Sequence, residues 1–202
     1  MSKLLASLTL AAIATACSVT EPEPPTAADL PLMRWGAGED QLVWQKTAFE
    51  ALQTHASVLP QTVPADISEW CPYYPEADTF TREAFWIGFL SALSKHESTY
   101  RPDAVGGDGR WYGLVQISPA TARGYGCRAG SGEALKDGGE NLSCALRIMA
   151  VTVPRDGVIH ANDGKWRGLA ADWGPIRVGS KRRDVSGWLK DQPFCQASIL
   201  PE

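Results

Sequence analysis

The sequence predicts a mostly α-helical single domain behind an export segment, with few or no strands. Two observations carry this: apolar residues recur at helical spacing through the organised segments, and alternating strand patterns are scarce. Size agrees, because residues 39 to 202 make one domain that is long enough to bury most of its apolar surface. No internal repeat divides it.

The amino terminus sets the expected compartment. Lys3 precedes an almost wholly apolar run from Leu4 to Ala14, and small residues follow as Ala14-Thr15-Ala16-Cys17. Residues 1–16 therefore read as a signal peptide, too short to span a bilayer, which takes about 20 apolar residues. Ala-Thr-Ala-Cys resembles a bacterial lipoprotein box, which implies that Cys17 is the lipidated first residue of a protein anchored to the outer membrane and facing the periplasm. Ordinary cleavage after Ala16, giving a secreted soluble protein, is the alternative. Residues 17–38, with Pro22, Pro24 and Pro25, read as an extended tether.

Five cysteines leave one unpaired in an oxidising compartment, and lipidation of Cys17 leaves Cys71, Cys127, Cys144 and Cys195. Of three connectivities, Cys127 with Cys144 and Cys71 with Cys195 is preferred. The first closes a local glycine-rich loop, and the second joins the ends of the domain.

Taken in order, the first helix is expected in "DQLVWQKTAFEALQTHA", with Leu42, Val43, Trp44, Phe49 and Leu52 as its apolar positions. A second opens at Thr81 as N-cap, with Phe80 and Phe85 as a hydrophobic staple. Ser118 and Pro119 begin a third as N-cap and first helical residue. A fourth runs from about Asn141, presenting Leu142, Ala145, Leu146 and Met149 before Pro154.

The formal net charge is −4, and the only basic run, Lys181-Arg182-Arg183, reads as a solvated helix face, so nucleic acid is not an expected partner. His55, His96 and His160 lie far apart, and no Cys-x-x-Cys or His-Glu-x-x-His spacing occurs. No metal and no other cofactor is expected. A Gly-x-Ser-x-Gly nucleophile elbow is also missing.

Glu97 stands apart. Trp86, Leu90, Leu93 and Glu97 follow at intervals of four, three and four residues, which places a carboxylate on an apolar helix face. Loss of hydration there raises a carboxyl pKa and suits a general acid. An acid at a helix C-terminus also opposes the helix dipole.

Two segments carry a family resemblance. "HESTYRPDAV" resembles the Glu-Ser motif of lysozyme-like lytic transglycosylases of the SLT type, and "YGLVQISPATA" is similar to their Gly-Leu-x-Gln-Ile segment. With "NLSCALRIM", which resembles the next core helix, the likeness covers roughly residues 80 to 175. It implies a lysozyme-like fold, peptidoglycan glycan strands as the substrate, and Glu97 as the catalytic acid and base. It also implies that Ser98 supports the carboxylate by hydrogen bonding, and that Gly113, Leu114 and Gln116 shape the glycan-binding wall.

The third motif departs from the family. Where Ala-Tyr-Asn-x-Gly is usual, this chain has "LAADWGPIR" at 169–177. The tyrosine that would bond the catalytic carboxylate is missing, and Asp172 and Trp173 stand near its place. Trp173 is a candidate for stacking on a sugar. The reaction implied is cleavage of the MurNAc-β-1,4-GlcNAc bond with formation of a 1,6-anhydro ring. The alternatives are a hydrolytic lysozyme, for which Asp103, Asp108 and Asp172 are the candidate second acids with Asp172 the best, and a noncatalytic peptidoglycan-binding lipoprotein.

Overall fold

The structure, a computed structural model, describes residues 23–196. The proposed signal peptide and Cys17 lie outside the described residues. The chain forms a helical body around one long central helix, with two short antiparallel hairpins on its surface.

Helix α1 (Glu39–Gln53) buries Trp44, Phe49 and Leu52 as the apolar pattern predicts, whereas Leu42 and Val43 face outward. A short α2 (Val58–Gln61) leads to the central helix α3 (Thr79–Glu97), every residue of which from Glu83 to Ser94 is buried. α3 therefore has no single apolar face, because neighbours surround it. Its N-cap is Asp78 rather than Thr81: the Asp78 carboxylate accepts from the Thr81 N–H at 2.7 Å. The negative charge there also favours the positive end of the helix dipole. Phe80 instead packs edge-on against Phe49, and Phe85 against Tyr74.

Beyond α3, β1 (Val105–Gly106) and β2 (Trp111–Tyr112) form a small hairpin. Helix α4 (Pro119–Gly124) begins as expected, with Ser118 Oγ accepting from the Thr121 N–H. Helix α5 (Gly138–Asp156) starts three residues before Asn141, capped by Asp137. Its first two residues are glycines because α1 approaches closely: a Cβ on Gly138 would meet Trp44, and one on Gly139 would meet Thr47. Their poor helix propensity hides this start in the sequence. The helix also continues past Pro154 into its last turn and ends at Gly157, which is left-handed at φ 69°.

A second hairpin, β3 (His160–Asn162) and β4 (Trp166–Gly168), precedes α6 (Gly174–Arg177) and α7 (Gly179–Lys190). Disulfides join Cys71 to Cys195 and Cys127 to Cys144, the preferred pairing. The longer link spans 124 positions and ties the segment before α3 to the end of the described chain.

The packed body also reaches further toward the amino terminus than residue 39. Leu30, Met33 and Trp35 are buried, and the Trp35 backbone N–H donates to Ser91 Oγ on α3. Arg34 makes a two-pronged bond to Asp184 on α7. The last part of the segment read as tether is thus a strap across the helices. Proline content masked it, since only three large apolar side chains anchor it.

Candidate active site

Glu97 ends α3 at a cleft of about 440 Å³ lined by Gly106, Gly107, Trp111 and Gln116 on one side and Asp172, Trp173, Pro175 and Arg177 on the other. Its half-buried carboxyl is pushed up to about 7 by loss of hydration, against the opposing pull of Lys181. No side-chain donor among the described residues bonds it. The backbone turns sharply just after, with Thr99 and Tyr100 at φ 55° and 61°. The left-handed region is costly for a β-branched residue, so this turn concentrates strain next to Glu97.

The opposite wall depends on one buried amide. Asn141, fully buried on α5, accepts from the Val115 N–H at 2.9 Å and donates to the carbonyls of Tyr112 and Leu135 at 2.9 and 3.0 Å. It clamps the loop 112–116, and Trp173 adds a bond from its indole N–H to the Val115 carbonyl at 2.9 Å.

Comparison with known proteins gives one consistent answer. The profile of the transglycosylase SLT domain matches residues 79–156. The solved structure of wild-type DslA, form 2, is similar at 29% identity and a TM-score of 0.74, over 83% of this chain and 98% of that chain. Two glutamate-to-glutamine mutants of DslA are 30% identical with TM-scores of 0.71, covering 79% and 78% of this chain and 94% and 93% of theirs. No curated protein gives a significant match. The chain belongs to the SLT family of lytic transglycosylases. It is a lysozyme-like enzyme that acts on peptidoglycan.

Within this SLT fold the residues singled out from sequence divide into groups. Glu97, Gln116, Asp172 and Trp173 all line the cleft. Leu114 does not, because it is fully buried in the core. Ser98 is buried too, and its Oγ bonds the Ser94 carbonyl and the Arg101 N–H rather than Glu97, so it closes the helix end instead of supporting the carboxylate. Gly113 is a conformational requirement at φ 81°: a Cβ there would overlap the Leu135 carbonyl and the Asn141 amide.

Gln116 spends its amide nitrogen on the carbonyls of Ala104 and Gly113, which leaves its oxygen as the polar group for the cleft. Trp173 is 3% exposed, so it forms the cleft floor and offers no face for stacking. Asp172 sits at the lip, where crowding by protein raises its carboxyl above the usual range despite the nearby Arg155 and Arg177. Asp103 and Asp108 do not line the cleft.

Two contributors, Asn141 and Trp111, were not among the site residues assigned from the sequence. Asn141 reads as one polar residue in an apolar helix, and only its burial reveals the clamp. Trp111, 42% exposed at the cleft rim, is the accessible aromatic there. Its ring occupies the space that a side chain on Gly107 would fill, and the signal for it was the glycine run that precedes it.

Proposed function

We propose that the enzyme cleaves the MurNAc-β-1,4-GlcNAc bond without water, leaving 1,6-anhydro-MurNAc ends, with Glu97 as the single acid and base. The observation that carries this reading is the half-buried carboxyl raised to about 7 at the head of the cleft. Protonated Glu97 gives its proton to the leaving oxygen. As carboxylate it then takes the proton of the muramic C6 hydroxyl, whose oxygen attacks C1 and closes the ring. The substrate's acetamido group can assist, so one protein acid suffices.

Gln116 Oε1 and the Trp111 ring are placed to meet the glycan beside Glu97. Hydrolysis is the second reading, favoured by Asp172 lying in the same cleft with a raised pKa. The test is the chemistry of the chain ends released from purified sacculi. Ring-closed ends, lighter by one water than hydrolysed ones, support the proposal. Free reducing ends alone would assign the reaction to a lysozyme, with Asp172 orienting the water.

The same reading places the enzyme in the periplasm, anchored to the outer membrane through lipid on Cys17. The motif Ala14-Thr15-Ala16-Cys17 supports it, and among the described residues no helix is long and apolar enough to cross a membrane. Cys17→Ala should move the protein from the membrane to the soluble fraction. Unchanged membrane association on fractionation would remove Cys17 as the anchor.

A further inference from the structure

The family's tyrosine is missing, yet a carboxyl that must become an anion halfway through the reaction needs a partner. Helix α7 packs against this end of α3. Asp184 on α7 takes Lys95 at 3.0 Å and His96 at 2.7 Å, the two residues just before Glu97, together with Arg34 at 2.8 Å from the strap. These bonds pin α7 against the last turn of α3. Lys181 lies three residues before Asp184 and so on the same helix face. It is also bracketed from the other side, because Arg177, just ahead of it in α6, lines the cleft with Glu97.

The charges around Glu97 leave Lys181 alone. On α3, Lys95 and His96 are held by Asp184. Arg177 is spent on the carbonyls of Ala170 and Ala171, and Arg182 on His160 and the Ile176 carbonyl. The β1–β2 hairpin lines the cleft with Gly106, Gly107 and Trp111, none of them charged. Asp172 is the remaining acid in the cleft. Lys181 is half-buried, makes no ion pair among the described residues, and acts on Glu97 through its charge.

We infer that Lys181 is the positioning residue that takes the place of the missing tyrosine, steadying the Glu97 carboxylate between the two proton transfers. The inference rests on Glu97 being the proton carrier proposed above. An ammonium does more than a phenol here, since it offers three donors and a full charge that stabilises only the ionised form. It neither gives nor takes a proton in the proposed steps, so the proton count of the reaction is unchanged. Asp184 makes this possible by engaging Arg34, Lys95 and His96 at this end of α3.

The test is the pH dependence of kcat/KM on sacculi, which reports the free enzyme, for wild type, Lys181→Met and Lys181→Arg. Loss of the charge lets burial act unopposed. The limb on which activity falls with rising pH should therefore move upward in Lys181→Met by at least about half a unit. Turnover should fall about tenfold or more, as when one preorganised donor to a developing anion is lost. KM and melting temperature should stay close to wild type, and Lys181→Arg should restore both limb and turnover.

An unmoved limb with full turnover would overturn the inference. So would a loss matched by an equal fall in melting temperature and not rescued by arginine, which marks a packing role. If wild type itself shows no limb near neutrality, the Glu97 reading fails first, which distinguishes the two.

Discussion

Glu97→Gln is expected to abolish turnover while the fold persists. One positioned proton donor or acceptor is worth on the order of 10²–10⁴-fold, and in the proposed reaction Glu97 serves both halves, so the loss should reach at least the upper end. The amide keeps the volume and can still bond a sugar, but it cannot deliver or receive the proton. Initial rates on purified sacculi check this, and full activity in the folded variant would remove Glu97 from the mechanism.

The same substitution has a stability signature with a definite sign. Burial raises the folded-state pKa from 4.5 to about 7, so between these values the folded protein keeps a proton that the unfolded chain has released. Stability is therefore complete below about 4.5 and declines as pH rises through 7. Glutamine carries no such penalty. The variant should melt above wild type at neutral pH, by on the order of 2 kcal/mol in stability, and the gap should close in acid.

Gly113→Ala is the second large effect, and it is structural. At φ 81° an alanine is already strained, and its Cβ would overlap the Leu135 carbonyl and the Asn141 amide, neither of which is a flexible chain end. Relief requires moving Asn141, which costs its bonds to Val115, Tyr112 and Leu135. A loss of about 2–4 kcal/mol is expected in urea denaturation. Activity should fall further than stability alone demands, because the displaced loop carries Gln116 and supports Trp173. A variant as stable as wild type would show that the loop tolerates the methyl group.

These sites differ in how legible they were. Glu97 and its motifs could be read because a carboxylate in an apolar helix is a local anomaly, and the disulfides because four cysteines leave three choices. The start of α5 could not, since two glycines argue against a helix unless the nearness of Trp44 is known. Asn141 and Leu114 were obscured for opposite reasons. A single amide gives no periodic signal, while a residue inside a binding motif invites a binding role even when it is core.

The Lys181-Arg182-Arg183 run shows the limit most clearly. Read as one solvated face, it ignores that successive helical residues point about 100° apart. Three neighbours cannot share a face. In the structure Arg182 turns to His160, Arg183 is exposed, and Lys181 is half-buried, with its charge acting on Glu97. Helical geometry was enough to expect the split, but only the packing of α7 on α3 says which cation acts on Glu97.

The proposed mechanism depends on one carboxyl that holds its proton near neutrality. The measurement that addresses it most directly is a carboxyl carbon NMR titration of the free protein, with the resonance assigned by its absence in Glu97→Gln. The predicted midpoint for Glu97 is about 7. A midpoint near the ordinary 4.5 would leave the group ionised at working pH, and Glu97 could not then be the acid that opens the reaction.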